Sequence, residues 1–274
     1  MINALTIQDI SCFGQCSITV ALPVLSAFGI ETAILPSSVM STHTGGFSGY
    51  TIHDLTDEMP KIAEHWKKEK IGFDAIYTGY IGDERQFDII ADISDELMKE
   101  GGKLIVDPAM ADDGVLYKAL GDNIVTGMKK LVSKADIIIP NITEAALLTG
   151  MDYIHECDEE HAKEYLKELA KLGPEICVLT GVYSGKDRMG ASAYIKKEDK
   201  YVSYFAERME NRYHGTGDVF ASVFTANILR GRTLDESIKG ACEFVVDCIR
   251  YTDKHPQHKY GICFESVLAK GRYL

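Results

Sequence analysis

FDAIYTGYIGDERQFDIIADISDELMKEGGKLIVDP, residues 73–108, sets two short apolar runs, 73–80 and 103–108, on either side of a segment, 85–100, whose apolar residues recur at helical spacing. A strand, a helix and a strand of these lengths form a βαβ unit, with both strands parallel in one sheet and the helix across a face. The same rhythm extends in both directions. Strand patterns NALTIQ (3–8), ETAILP (31–36), ADIIIP (135–140) and ICVLTG (176–181) alternate with helical patterns at 16–28, 57–70, 123–132 and 158–172. Past residue 181 the pattern changes. GASAYIKKEDKYVSYFAER (190–208) reads as two strands around a polar turn, a β-hairpin, followed by helices over 218–231 and 234–252. The fold class is therefore α/β, a mostly parallel central sheet with helices on both faces and a C-terminal hairpin.

Nothing in the composition divides the chain. Its 274 residues lack a Pro/Gly/Ser-rich linker or a repeat, so residues 1–274 are expected to form one domain. With 46% hydrophobic and 26% charged residues the chain is globular, and no apolar run approaches the ~20 residues of a membrane span. A net charge of -12 has the wrong sign for a protein that binds nucleic acid or an anionic membrane. The N-terminus lacks the basic and apolar regions of a secretory signal, which places the protein in the cytoplasm. Cys12, Cys16, Cys157, Cys177, Cys242, Cys248 and Cys263 are scattered, with no CxxC, and most read as reduced packed thiols; Cys12 and Cys16, near the suspected pocket, also admit a reactive thiol.

In open α/β sheets ligands bind outside the carboxyl ends of the strands. There LIVDPAMADDG carries Asp107 and Asp112, IIIPNITEA carries Asn141 and Glu144, and VLTG ends in Thr180. Each acid alone also reads as structural, Asp107 as a turn cap before Pro108 and Glu144 as a first-turn helix residue. Together, Asp107, Asp112 and Glu144 form a set of hard oxygen donors suited to Mg²⁺ in phosphoryl transfer. In NRYHGTGDVFAS (211–222), Gly215 and Gly217 let backbone N–H groups converge on an anion at a helix N-terminus. Thr216 offers a hydroxyl to phosphate, and Asp218 a carboxylate to act as general base on an attacking hydroxyl. The structural alternative is an ordinary helix cap with a favourable acid. No GxxxxGK[ST] occurs, so a Walker-type phosphate loop is excluded.

These motifs, in this order, resemble the ribokinase-like superfamily and within it the pyridoxal/pyridoxamine kinase family. DPAMADDG, PNITEA, VLTG and GTGD are similar to that family's metal, nucleotide and anion-hole segments, and STHTGG (41–46) and YTGY (77–80) to its substrate loops. The resemblance covers nearly the whole chain and implies a three-layer ribokinase-like sandwich. It implies ATP-dependent phosphorylation of the 5′-hydroxyl of pyridoxal, pyridoxine or pyridoxamine, with Asp218 as base and Gly215, Thr216 and Gly217 as the anion hole. Asp107, Asp112 and Glu144 match residues around Mg²⁺ and the phosphates; Asn141 and Thr180 match nucleotide contacts; His43, Thr44 and Tyr80 match the pyridine pocket. A monovalent cation such as K⁺ is an open addition, and a homodimer is implied.

One position departs from the family. Where many pyridoxal kinases place a serine facing the pyridine nitrogen, TIQDISCFG places Asp9. A carboxylate there suits a protonated pyridine nitrogen, a sugar hydroxyl or an aminopyrimidine, or only ends a strand in a turn. The alternatives are a hydroxymethylpyrimidine kinase, whose branch often has cysteine at the position of Asp218, and an ATP-dependent dehydratase of damaged nicotinamide cofactor. A non-catalytic carrier would have no use for the acid at 218. HECDEEH (155–161) looks like a metal cluster, but its His spacing fits helix capping and a solvated surface.

Overall fold

The computed structural model describes every residue except 119 and 122, both within the short 113–122 segment that follows Asp112. Nine strands form one sheet. In chain order they are β1 (Asn3–Ser11), β2 (Glu31–Met40), β3 (Ile52–Asp54), β4 (Phe73–Thr78), β5 (Met98–Val106), β8 (Ile137–Ile138), β9 (Ile176–Tyr183), β10 (Arg188–Ile195) and β11 (Lys200–Glu207). Two short strands, β6 (Ala111–Asp112) and β7 (Val115–Leu116), pair separately. The spatial order is β11-β10-β9-β8-β5-β4-β1-β2-β3. The interior from β9 to β2 is parallel, whereas β10, β11 and β3 add antiparallel edges.

Helices cover both faces. On one lie α2 (Met59–Lys68), α3 (Arg85–Leu97), α4 (Ile124–Lys134), α5 (Ile142–Thr149) and α6 (Glu159–Lys171); on the other α1 (Ile18–Ala27), α7 (Thr216–Leu229), α8 (Leu234–Asp253) and the single turn α9 (Glu265–Leu268). Alternation along β5 shows why a continuous apolar run was needed: Leu104 and Val106 enter the first core and Ile105 the second. The second face is lined by small residues, Ala4, Ala75, Ala191 and Ala193, against which α7 packs with every residue from Val219 to Asn227 buried. That packing fixes the N-terminus of α7 at the carboxyl edge of the sheet.

The hairpin expected over 190–208 is β10 and β11, joined by a 3₁₀ turn at Lys196–Glu198. Thr180 does not end its strand, because β9 runs on to Tyr183. Its pairing with β10 slips between Gly190 and Ala191, opposite Gly181 in the left-handed region at φ 80°, so the Thr-Gly signal marks a bulge. β3, the β6–β7 hairpin and the short helices α5 and α9 lie outside the elements expected from periodicity. Among the described residues no helix is long and apolar enough to cross a membrane.

Candidate active site

Asp107 follows β5 directly, its N–H donating to the Thr78 carbonyl at 3.0 Å, which holds it at the sheet edge. It is 8% exposed. Its carboxyl is raised well above the usual range by burial first, then by Glu144 and Asp218. Glu144 is the third residue of α5. Its Oε2 accepts the Asn141 N–H at 2.8 Å and its Oε1 the Met110 N–H at 3.1 Å, so it ties the helix to the 107–112 segment. Burial pushes its pKa up to about 8 against the pull of the Asn141, Met110 and Ala111 N–H groups. Asp112, at the outer rim of β6, is raised by burial, opposed by the Asp113 N–H and by Arg212 and His214. Tyr117 faces the whole set: burial, then Glu144, Asp112, Asp218 and Asp107, raise its phenol.

This acid set has the chemistry of a cation site. Among the described residues no positive side chain relieves Asp107, and no three His, Cys, Asp or Glu side chains close into a protein-only cage. One or two carboxylates, completed by waters and substrate phosphates, is how proteins commonly hold Mg²⁺. The residues fit that ion.

Opposite them the GTGD turn opens α7. Gly215 is its N-cap at φ 83°, and a Cβ there would fall 1.8 Å from the Gln15 carbonyl oxygen, so only glycine fits. The N-cap has no side chain, leaving the first-turn N–H groups without a capping acceptor; Thr216 directs its hydroxyl to the Tyr213 carbonyl at 3.2 Å. Asp218, half-buried, accepts the Ser17 N–H at 3.0 Å on Oδ1. Burial pushes it up to about 7, with the Ser17 N–H opposing and Asp9 reinforcing the rise. A carboxylate poised near neutrality is suited to general-base work.

The third wall comes from the N-terminal half. Asp9 is 1% exposed and lies where the β1–β2 pairing slips between Gln8 and Ile10. Ser11 Oγ donates to its Oδ2 at 2.9 Å. Burial raises its carboxyl, and the Ser17 and Ser11 hydroxyls oppose this. Tyr80 is pushed up to about 12 by burial, then by Asp9 and Tyr50, so these three groups face one another. His43 packs against Gly14, with Nε2 3.3 Å from the Tyr260 carbonyl and its ring 5.4 Å from that of His214. Burial lowers its pKa, which keeps the ring neutral. Thr44 beside it is half-buried, and nearby Phe47 stacks on Tyr260 while Phe13 meets both rings edge-on.

Asn141 and Thr180 are engaged within the protein. Asn141 Oδ1 accepts the Glu144 N–H at 2.9 Å and its Nδ2 donates to the Ala111 carbonyl at 2.8 Å; Thr180 donates its N–H to the Pro140 carbonyl at 3.0 Å. Asp158, within HECDEEH, caps α6 through the Glu160 and His161 N–H groups, each at 3.1 Å. Ser17, Tyr50, Tyr117 and His214 were not singled out by sequence. Only His214, immediately before the glycine turn, carried a readable signal. Cys16 is no reactive thiolate: burial, then Asp218 and Asp9, raise its thiol well above the ordinary value.

A parallel sheet with acids and a glycine turn at its carboxyl edge, covered by helices on both faces, is a ribokinase-like kinase architecture. Residues 22–263 match the family model described as phosphomethylpyrimidine kinase, and the chain belongs to this family, which it shares with the pyridoxal kinases. Pig (Sus scrofa) pyridoxal kinase is 31% identical over 247 residues, 83% of this chain and 74% of the relative. The hydroxymethylpyrimidine/phosphomethylpyrimidine kinase of Bacillus subtilis (strain 168) is 24% identical over 237 residues, 83% of this chain and 80% of the relative. A provisionally assigned phosphomethylpyrimidine kinase from Bacteroides thetaiotaomicron superposes with a TM-score of 0.93 at 35% identity, covering 98% of this chain and 93% of that one. A second crystal form of that protein, with pyridoxal, gives 0.91 at the same identity.

Proposed function

We propose that this protein is an ATP-dependent kinase of vitamin B6 alcohols, transferring the γ-phosphoryl group to the 5′-hydroxyl of pyridoxal, pyridoxine or pyridoxamine. The observation that carries the proposal is Asp218, poised near neutrality beside the open turn of α7 and across from Asp107 and Glu144. Asp218 takes the proton of the attacking hydroxyl, and the N–H groups of the 215–217 turn, with the Thr216 hydroxyl, receive charge on the phosphoryl oxygens. Asp107 and Glu144 would hold Mg²⁺ directly or through water, with Asp112 at the rim, and the bound ion would supply positive charge to the phosphates. Asn141 and Thr180 shape the nucleotide side. His43, Thr44 and Tyr80 line the ring pocket, and Asp9 meets a ring nitrogen there. One domain spans the chain, two chains form a symmetric dimer, and the enzyme works in the cytoplasm.

A second reading rests on Asp9. A buried carboxylate with one oxygen taken by Ser11 also suits an aminopyrimidine, which offers adjacent donors. The acid at 218 favours the B6 alcohols. Turnover of the three vitamers and of the hydroxymethyl aminopyrimidine, compared as kcat/KM, decides between the readings: a B6 kinase prefers a vitamer by at least about tenfold. A preference for the pyrimidine by that margin replaces this reading with the second.

A further inference from the structure

Ser17 occupies the place where a helix takes its cap. It precedes α1, and its carbonyl accepts the Val20 and Ala21 N–H groups at 3.0 and 2.9 Å. A serine there ordinarily turns its hydroxyl onto the N–H two or three residues on. This one makes no such bond, and its backbone lies at φ 54° and ψ −131°, where residues other than glycine seldom go. The other described non-glycine residues with positive φ, Lys70, Asp113 and Asp199, are all exposed; Ser17 is 5% exposed.

The unusual backbone has an identifiable use. It aims the Ser17 N–H at Asp218 Oδ1, 3.0 Å away and 201 positions later in sequence. On its other side lies Asp9, whose Oδ2 takes the Ser11 hydroxyl at 2.9 Å; the Ser17 hydroxyl, with that of Ser11, opposes the rise that burial gives this carboxyl. The segment leading to it is pinned on both sides. The Gln15 carbonyl abuts Gly215, the His43 ring abuts Gly14, and the Gln15 N–H donates to the Tyr260 carbonyl at 3.2 Å. Thr19 Oγ1 adds a bond to the Cys16 carbonyl at 2.7 Å. The strained peptide therefore cannot relax without moving the phosphate turn or the 41–46 loop. Besides Ser17, the groups facing Asp218 are Asp9 on β1, Cys16 on the same segment, Tyr77 on β4, Asp107 after β5, and Tyr117.

We propose that Ser17 is a positioning residue, its backbone N–H fixing the base Asp218 while its hydroxyl fixes Asp9, so that base and ring-facing carboxylate keep one spacing. This rests on the reading of Asp218 as the base, but it can be tested without turnover. Both Ser17→Ala and Ser17→Gly lose the hydroxyl; alanine keeps the Cβ strain that serine already bears at φ 54° but not the hydroxyl that offsets it, which frees the N–H to turn away, whereas glycine adopts the φ without strain and keeps the N–H in place.

The titration of Asp218 is followed by carboxyl ¹³C NMR in the full chain, with Asp218→Asn to assign the signal, alongside steady-state kinetics on the preferred alcohol. Ser17→Ala is expected to raise the Asp218 midpoint by about half a unit or more and to lower kcat about tenfold, the usual scale for losing a hydrogen bond to a charged group. Ser17→Gly is expected to keep the Asp218 midpoint and hold kcat within about twofold, while raising the alcohol KM several-fold through Asp9. The proposal is overturned if Ser17→Ala keeps the wild-type midpoint, or if Ser17→Gly loses kcat with its KM unchanged. Should the alanine variant fail to fold, an additive Ser17→Gly/Asp9→Asn cycle in KM overturns the proposal and a non-additive one supports it. Failure of the wild type to phosphorylate any of the alcohols would count against the proposed function and leave the NMR result standing.

Discussion

The N-termini of α5 and α7 lie at the same edge of the sheet, and each has an acid at its third helical position, yet the two are built to opposite ends. Asn141 and Glu144 close α5 with a reciprocal capping box. Gly215 cannot cap α7, and Asp218 bonds the N–H of another helix's leading residue, Ser17. The same local grammar thus gives a closed terminus, which ties the 107–112 segment into place, and an open one, which presents N–H groups and a carboxylate to the cleft. The N-cap side chain decides which.

Amide substitution at the two acids tests this contrast most severely. Asp218→Asn is expected to lower kcat about 10³-fold, the scale of a lost general base, with ATP binding by calorimetry unchanged. The same variant is expected to unfold at a higher temperature than wild type at pH 8 and to show a smaller gain at pH 5 that vanishes below about pH 4, because it removes a charge that the folded site disfavours. Glu144 is raised by burial as well, but its two oxygens each accept an N–H, so Glu144→Gln should lose about 1–2 kcal/mol of stability at pH 5, where the removed charge matters least, with a higher Mg²⁺ requirement for activity. Equal kcat losses in the two variants would erase the proposed division of labour.

Next in size is Gly215→Ala, which both adds a Cβ 1.8 Å from the Gln15 carbonyl and strains a left-handed backbone. A stability loss of about 2 kcal/mol or more by denaturant unfolding is expected. A fall in kcat should accompany it, because the displaced turn carries both the anion-binding N–H groups and Asp218. If the variant keeps wild-type kcat, the open terminus is not where the transferring phosphoryl group sits.

Legibility in the sequence followed how each feature is encoded. The interior strands were readable because residues such as Leu104, Ile105 and Val106 must fill cores on both faces, which forces unbroken apolar runs. β3 was not, since all its residues are exposed and carry no burial pattern. The β6–β7 hairpin has a two-residue Asp113-Gly114 turn, φ 46° and 79°, a recognised hairpin signal, but its flanking strands are too short to show alternation. Asp107 stood out because it directly follows an apolar run, Glu144 because it lies four residues past the strand-ending Pro140, and Asp218 because it follows a glycine turn. Ser17 reaches Asp218 by a backbone N–H, and Tyr117 and Tyr50 reach the acids only through the fold, so no residue type or spacing announced them.

The smallest expected effect concerns the site as a whole, where the cap of α5 and the open turn of α7 share one set of protons. Asp9, Asp107, Asp112, Glu144 and Asp218 all have folded pKa values above the ordinary range, chiefly through burial. The folded protein therefore binds protons more tightly than the unfolded chain. The stability these groups contribute is complete below their unfolded values near about 4, and it is lost as pH rises through the folded values. Those values are about 7 for Asp218 and about 8 for Glu144. A divalent cation that binds the deprotonated set counters this loss. Melting temperature measured with and without Mg²⁺ should then show a gain on the order of a few degrees at pH 8 that shrinks toward pH 5, where protons compete with the ion. A gain independent of pH would mean that the cation binds elsewhere and that the acids facing Asp107 serve only the fold.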